Sequence, residues 1–270
     1  MELGLAPNGE SVENVKCWVP VGRDGVHGFD FSQQECPEYW LRGEFEAKVL
    51  PEKLQFIVDS KEYDRVIVNG KEFTASTPYT LYDWQNRSFD ITSAVKKGVN
   101  RIVVHSFLGP FTGASPIHSY NRSILYHNNV STGLLALHGN FGVEYDDAKT
   151  MLVPLPKTLK MGEITDQKLP SYLGDVTLTT TVNGGKKPAH IYLPNVVAGA
   201  VKVVVNGKEL GVRLWGPYVF DCTPASWKTN SKNVISITLS GNLGHLLKRR
   251  YGCMRFLYVP FGLLEAPVLG

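Results

Sequence analysis

The chain has 270 residues, enough for one large domain or two of medium size. Apolar residues make up 43% and charged residues 20%, the balance of a folded globular chain rather than a disordered one. A net charge of +3, with no basic run longer than Lys248-Arg249-Arg250, offers no footprint for nucleic acid or an anionic membrane, and no apolar stretch approaches the roughly 18 residues that cross a bilayer.

In chain order, Met1-Glu2-Leu3-Gly4 has neither a basic n-region nor an apolar h-region, so no secretory signal is visible. Residues 1–35 are expected to form an extension or an added strand ahead of the first folded unit. Their Asp24-Gly25 to Asp30 stretch has the loop carboxylates and carbonyls that suit a structural calcium ion; no other cofactor is expected. The four cysteines, Cys17, Cys36, Cys222 and Cys253, form no C-x-x-C pair. Two fall in each half, which permits one bridge per half, with buried free thiols as the alternative.

From Tyr39 onward the pattern is strand and turn. Val66-Ile67-Val68 runs into Asn69-Gly70, a dipeptide that suits a type I′ hairpin because both central residues need positive φ. Trp84 precedes Phe89-Asp90-Ile91-Thr92, where a short acidic side chain is placed to bond nearby amides and open a turn. The only helical period, around Thr92 to Val99, is barely two turns. Lys97-Gly98-Val99-Asn100 then leads into another strand, followed by a long connection from Phe107 to Ser131 and Gly133-Leu134-Leu135. The polar, proline-punctuated stretch from Val143 to Gln167 marks a boundary, with a first sandwich over 36–150 and a second over 151–270.

Beyond it the same elements return in the same order. Val203-Val204-Val205-Asn206-Gly207-Lys208-Glu209-Leu210 answers residues 66–73, and Trp215 before Phe220-Asp221-Cys222-Thr223 answers Trp84 and its followers. Asn233 matches Asn100, and Gly262-Leu263-Leu264 matches Gly133-Leu134-Leu135. The opening Pro170-Ser171-Tyr172-Leu173-Gly174 is matched to the one beginning at Tyr39. Four elements in constant order imply duplication of one fold unit. Period-two runs such as Val176 to Val182 and Ile235 to Leu239 make that unit all-β, a sandwich or barrel. Cys222 takes the place of Ile91, which argues for a small buried apolar role.

The combination V-x-V-N-G-K, a Trp or Pro-Tyr, F-D-x-T, an N before a β-branched strand and a closing G-L-L resembles the sugar-binding domain of glycoside hydrolase family 2. It is similar also to galactose-binding-like jelly rolls of bacterial β-galactosidases, β-glucuronidases and rhamnosidases. The matches span roughly residues 39–140 and 169–269. The resemblance implies two tandem galactose-binding-like jelly-roll β-sandwiches and a non-catalytic, carbohydrate-binding or accessory role beside a catalytic glycosidase domain. It implies a fragment of a longer bacterial protein in an extracellular or periplasmic setting, with no nucleic-acid or membrane partner. A structural or adhesive surface module, and a glycosidase with an unrecognised site, are the competing readings.

Catalysis finds little support. A glycosidase needs two carboxylates flanking the scissile bond, and in the resembled family they sit on a (β/α)₈ barrel of about 250 residues for which this chain has no room. No Asn-Glu pair, the acid/base signature of that family, occurs in the sequence. Gly113-Ala114-Ser115-Pro116 lacks the second glycine of a nucleophile elbow. None of the seven histidines forms an H-x-x-x-H or H-x-H pair.

Sugar recognition calls for exposed aromatic faces beside amide, charged or hydroxyl groups on loops. Two segments have that composition. One is the Phe107–Ser131 connection, with His118, Tyr120, Asn121, Arg122, Tyr126 and His127; packing on a neighbouring domain is its alternative role. The other is Trp84 with Tyr79, Tyr82, Asp83, Gln85, Asn86 and Arg87, and its counterpart Trp215 with Arg213 and Tyr218. Because both tryptophans repeat, packing in the core or at its rim is the expected role there. The loop from Asn242 to Phe256, with His245, Arg249, Arg250 and Tyr251, reads as a solvated basic loop. N-x-S sequons fall at Asn86, Asn121 and Asn129.

Overall fold

The computed structural model describes residues 2–5, 11–15, 18–20, 39–59, 61–81, 83–106, 135–146, 149–242, 244 and 260–270. Among the described residues the helical elements with defined bounds are single 3-10 turns, Val12–Asn14 and Thr92–Ala94, so the short helical period after Asp90 yields one turn only. The protein is all-β, and it divides into two compact units that meet between Leu155 and Pro156.

The first unit contains β1 (Glu2–Leu5), β2 (Trp18–Pro20), β3 (Tyr39–Ala47), β4 (Leu54–Val58), β5 (Tyr63–Val68), β6 (Lys71–Phe73), β7 (Thr77–Pro78), β8 (Arg87–Asp90), β9 (Gly98–Ser106), β10 (Leu135–Gly139), β11 (Gly142–Asp146) and β12 (Lys149–Val153). The larger sheet runs β11-β12-β3-β9-β5-β6, and the smaller runs β10-β4-β8-β7. The outer edge of β3 is shared. β1 pairs with its first half in antiparallel register, Leu3 against Leu41, and β12 with its end in parallel register, Met151 against Glu46. Residues 151–153 therefore complete a sheet of the first unit, beyond the boundary drawn at residue 150.

The second unit contains β13 (Gly162–Glu163), β14 (Asp175–Val182), β15 (His190–Tyr192), β16 (Val196–Val197), β17 (Ala200–Val205), β18 (Lys208–Arg213), β19 (Val219–Asp221), β20 (Asn233–Ser240), β21 (Gly262–Leu263) and β22 (Val268–Leu269). Its sheets run β14-β20-β17-β18, β19-β15-β22 and β13-β21-β16. Two of these orders match the first unit strand for strand: β3-β9-β5-β6 against β14-β20-β17-β18, and β10-β4-β8 against β22-β15-β19.

Alternation decides which side chains go inward. β17 buries Val201, Val203 and Val205, and β20 buries Ile235, Ile237 and Leu239, so each sheet turns one apolar face to a common core. In the first unit Leu41, Phe45, Phe56, Phe89, Val66 and Val104, drawn from both sheets, form the equivalent core. A fully buried phenylalanine in such a core stabilises by about 2–3 kcal/mol relative to an exposed one.

The repeated asparagines form a clamp that explains why they repeat. Asn69 and Gly70 take φ of 51° and 86°, and Asn206 and Gly207 take 48° and 81°, the left-handed pair that a type I′ turn requires. The Asn69 side chain accepts from Arg101 N at 3.0 Å and donates to Asn100 Oδ1 at 2.8 Å; Asn206 accepts from Val234 N at 2.9 Å and donates to Asn233 Oδ1 at 2.8 Å. Asn100 and Asn233, both fully buried, then close the turn before their strand. Asn100 accepts from Lys96 N and donates to Lys96 O and Gly98 O; Asn233 accepts from Lys228 N and donates to Lys228 O and Ser231 O. A buried amide is stable only with its partners in place, and both have them.

One matched pair of segments needs re-registering. Phe45 lies opposite Asn100, while Val182 lies opposite Asn233, so Tyr39 corresponds to Val176. The strand-opening Tyr39 to Phe45 is thus answered by β14, and Pro170-Ser171-Tyr172-Leu173-Gly174 is a lead-in ahead of it. Packing supports this pairing, since Leu41 and Leu178 both face their cores. Gly262-Leu263 pairs with β13 and β16, whereas Leu135 pairs with β4, so these matched tripeptides occupy different places in their sheets; Gly133 and Leu134 lie outside the described residues.

Candidate functional site

The loop between β7 and β8 is built around Asn86. Its side chain, with no solvent exposure, donates to Asp59 O at 3.0 Å and accepts from Asp83 N at 3.0 Å. The Asp83 carboxylate accepts from Gln85 N at 2.9 Å, and Tyr79 N donates to Asn86 O at 3.0 Å. Arg87 reaches back to Ser76, donating to its hydroxyl and its carbonyl. These bonds pin both ends of the loop and leave Trp84 at its tip with the indole turned out, 79% exposed. Of the polar groups expected to meet a ligand, Asp83, Asn86 and Arg87 are therefore engaged in shaping the loop. The buried Nδ2 of Asn86 is also unavailable as a glycan acceptor in the folded chain.

The loop between β18 and β19 reaches the same result by other means. Leu193 N donates to Tyr218 O and Val219 N to Pro217 O, each at 3.0 Å, while the half-buried Tyr218 ring packs on the second core. Trp215 is 74% exposed beside an exposed Leu214. Arg213 stands over the buried Phe220 ring at 5.9 Å.

Of the packing in the core or at its rim expected from their repetition, burial in the core does not hold for either tryptophan. Water covers most of each tryptophan. Such exposed aromatic faces suit a flat ligand surface with C–H groups. Tyr218 belongs partly to the core and presents less than a full face. Tyr82 lies outside the described residues, as do His118, Tyr120, Asn121, Arg122, Tyr126 and His127 and the rest of the Phe107–Ser131 connection. The Asp24–Asp30 loop, Asn121, Asn129, His245, Arg249, Arg250 and Tyr251 also lie outside them.

A second polar feature joins residues that lie far apart in sequence. The Tyr79 hydroxyl sits 3.2 Å from Nδ1 and 3.3 Å from Nε2 of His138 on β10, with ring centroids 5.5 Å apart. Burial pushes the His138 pKa below the usual imidazole range, with Lys53 adding to the effect, and burial pushes the Tyr79 phenol up. Both are held neutral around pH 7, a pair able to exchange hydrogen bonds with hydroxyl groups. Tyr79 stood out in the sequence only among the aromatics near Trp84, and nothing in the spacing joined it to His138.

The repeated aspartates perform the turn-opening role expected of them. Asp90 Oδ1 accepts from the hydroxyl of Thr92 at 2.6 Å and its N–H at 3.1 Å; Asp221 Oδ1 accepts from the hydroxyl of Thr223 at 2.6 Å and its N–H at 2.8 Å. The Thr hydroxyl, then the Thr amide, holds each carboxyl below the usual carboxylate range, with Lys53 and Lys187 contributing. A general acid for glycoside cleavage needs the opposite shift. Cys222 is buried and free, at the place of the equally buried Ile91. Among the described residues no group of three His, Cys, Asp or Glu side chains is arranged to hold a metal ion.

No family model matches the chain, and no curated protein matches it. Among solved structures, the chain is similar to a rhamnosidase from Novosphingobium sp. PP1Y at 14% identity and a TM-score of 0.32, covering 85% of this chain and 22% of that one. It is similar also to the α-L-rhamnosidase of Streptomyces avermitilis complexed with L-rhamnose, at 14% identity, a TM-score of 0.33, and 83% and 23% coverage. A β-glucuronidase from Ruminococcus gnavus in complex with D-glucuronic acid matches at 12% identity and a TM-score of 0.33, with 87% and 41% coverage. The chain spans less than a quarter of the length of either rhamnosidase. Likeness at this level carries no argument about activity.

Proposed function

We propose that the chain is a non-catalytic accessory module of a glycoside hydrolase. It is a duplicated galactose-binding-like jelly roll whose units bind poly- or oligosaccharide each at its own tryptophan, Trp84 in the first and Trp215 in the second. The observation that carries this reading is that two loops, matched in the repeat and anchored by different bonds, both present an indole to water. Trp84 and Trp215 are the most exposed large apolar side chains among the described residues, and each offers an open aromatic face. The C–H face of a sugar ring packs on such a face, and Tyr79 with His138 offers hydroxyl-compatible hydrogen bonding in the first unit. The motif resemblance supports the same reading and suggests a catalytic glycosidase domain as the covalent or docked neighbour.

The test is native affinity electrophoresis against a panel of soluble polysaccharides, with released reducing ends assayed in the same samples. Retardation by one polysaccharide class without sugar release is expected. Trp84→Ala and Trp215→Ala should each weaken retardation on the order of tenfold, the loss of one stacked aromatic face. Sugar release would overturn the non-catalytic role, and retardation untouched by either substitution would overturn the assignment of the tryptophans.

A further inference from the structure

Among the described residues, the edge strand of the larger sheet in the second unit has no strand beyond it, where the first unit's has two. β3 carries β1 and β12 on its outer side, while β14, its counterpart in sheet order, has no strand beyond it among the described residues. The direction of its backbone groups follows from register. Gly241 N donates to Gly174 O at 3.2 Å, so Gly174 and Gly241 face each other as a hydrogen-bonded pair. Such pairs alternate in an antiparallel ladder, so Val176, Leu178, Thr180 and Val182 bond to β20. Asp175, Thr177, Thr179 and Thr181 point their N–H and C=O groups the other way. Two further contacts agree. The Tyr172 hydroxyl caps the Asp175 carbonyl at 3.0 Å, and Thr177 with Thr238 and Thr179 with Ser236 bring hydroxyls within 3.0 and 3.1 Å, the closer approach of non-bonded pairs.

Three threonines thus aim backbone donors and acceptors outward along an edge that no described strand covers. Proteins usually guard such edges with lysine, proline or a bulge. Val176-Thr177-Leu178-Thr179-Thr180-Thr181-Val182 has no charge and no proline, and β14 pairs with β20 without a bulge. The segment also reads nearly the same in both directions about Thr179. A two-fold axis there sets Thr177 against Thr181 of a second copy and Thr179 against itself, which matches every outward-pointing residue with another. On the core side it sets Val176 against Val182 and Leu178 against Thr180. At the end of the pairing Asp175 meets Asn183, so no like charges face each other.

We infer that β14 pairs antiparallel with β14 of a second copy of this chain, joining two four-stranded sheets into one across an isologous two-fold interface. One edge ladder buries little area, so the association is concentration-dependent rather than obligate. Sedimentation velocity and hydrogen exchange on the full chain over a range of concentrations test it. The expected result is a rise to dimer mass together with slowed exchange at the Thr177, Thr179 and Thr181 amides. Thr179→Pro removes the donor at the axis on an edge that tolerates proline, and should hold the chain monomeric. Thr179→Lys, at an exposed position that does not enter the core, sets two ammonium groups face to face across the axis and should do the same if the proline variant does not fold. A monomer at every concentration would overturn the proposal and leave the edge to a strand of another protein. So would a dimer that leaves the three amides unprotected, or one that both substitutions leave intact.

Discussion

Replacing Asn233 with alanine tests the asparagine clamp on which both hairpins depend. The side chain has no solvent exposure and makes four hydrogen bonds. It accepts from Lys228 N and Asn206 Nδ2, each at 2.8 Å, and donates to Lys228 O at 2.9 Å and Ser231 O at 3.4 Å. At about 1 kcal/mol net for each good bond and less for the longest, the loss comes to about 3 kcal/mol. For a unit of this size that is a fall in Tm of roughly 15 °C, read by circular dichroism and by the fluorescence of Trp227, which packs on the second core. Asn233→Asp keeps the oxygen that accepts from Lys228 N and Asn206 Nδ2 but turns a second, anionic oxygen toward the Lys228 and Ser231 carbonyls. It should therefore cost more at pH 7 than at pH 4, where a protonated carboxyl can donate again. Asn100→Ala should cost somewhat more, because all four of its bonds are 2.9 Å or shorter. An Asn233→Ala cost under about 1 kcal/mol, or an aspartate variant indifferent to pH, would refute the clamp as the reason for the repeat.

Asp90 and Asp221 have folded pKa values below those of the unfolded chain, so their contribution is present above about pH 4 and is lost as pH falls through the lower folded values. Asp90→Asn with Asp221→Asn should flatten the acid limb of the stability curve; an unchanged slope below pH 4 would count against their turn bonds. Burial, then the neighbouring Asp221, raises the Cys222 thiol pKa, so maleimide labelling of that residue in native protein should be slow and should become complete in guanidinium. Equal rates in both conditions would contradict its burial. Trp84→Ala and Trp215→Ala, removing exposed rings, should each shift stability by no more than about 0.5 kcal/mol while weakening sugar binding, and a large loss of stability would mark either ring as structural.

Local chemistry was enough to determine much of this protein from sequence. The left-handed φ of Asn69-Gly70 and Asn206-Gly207 follows from which residues tolerate that conformation, and the Asp-x-Thr turns follow from bonds spanning two residues. Alternation along β17 and β20 told inside from outside because period-two patterning is a property of the strand itself. The burial of Cys222 was legible through its match to Ile91. What could not be read depends on residues distant in sequence. Repetition of Trp84 and Trp215 pointed to the core or its rim, but a matched position says nothing about which way a loop tip faces. That direction is decided by Asn86 anchored to Asp59 in one unit and by the Tyr218 backbone anchored to Leu193 in the other. The meeting of Tyr79 with His138, the filling of the β3 edge by β1 and β12, and a β14 edge that no described strand covers arise likewise from strand order. Turns and alternation are set by nearest neighbours along the chain, whereas exposure, edges and paired side chains exist only once strands far apart in sequence lie side by side.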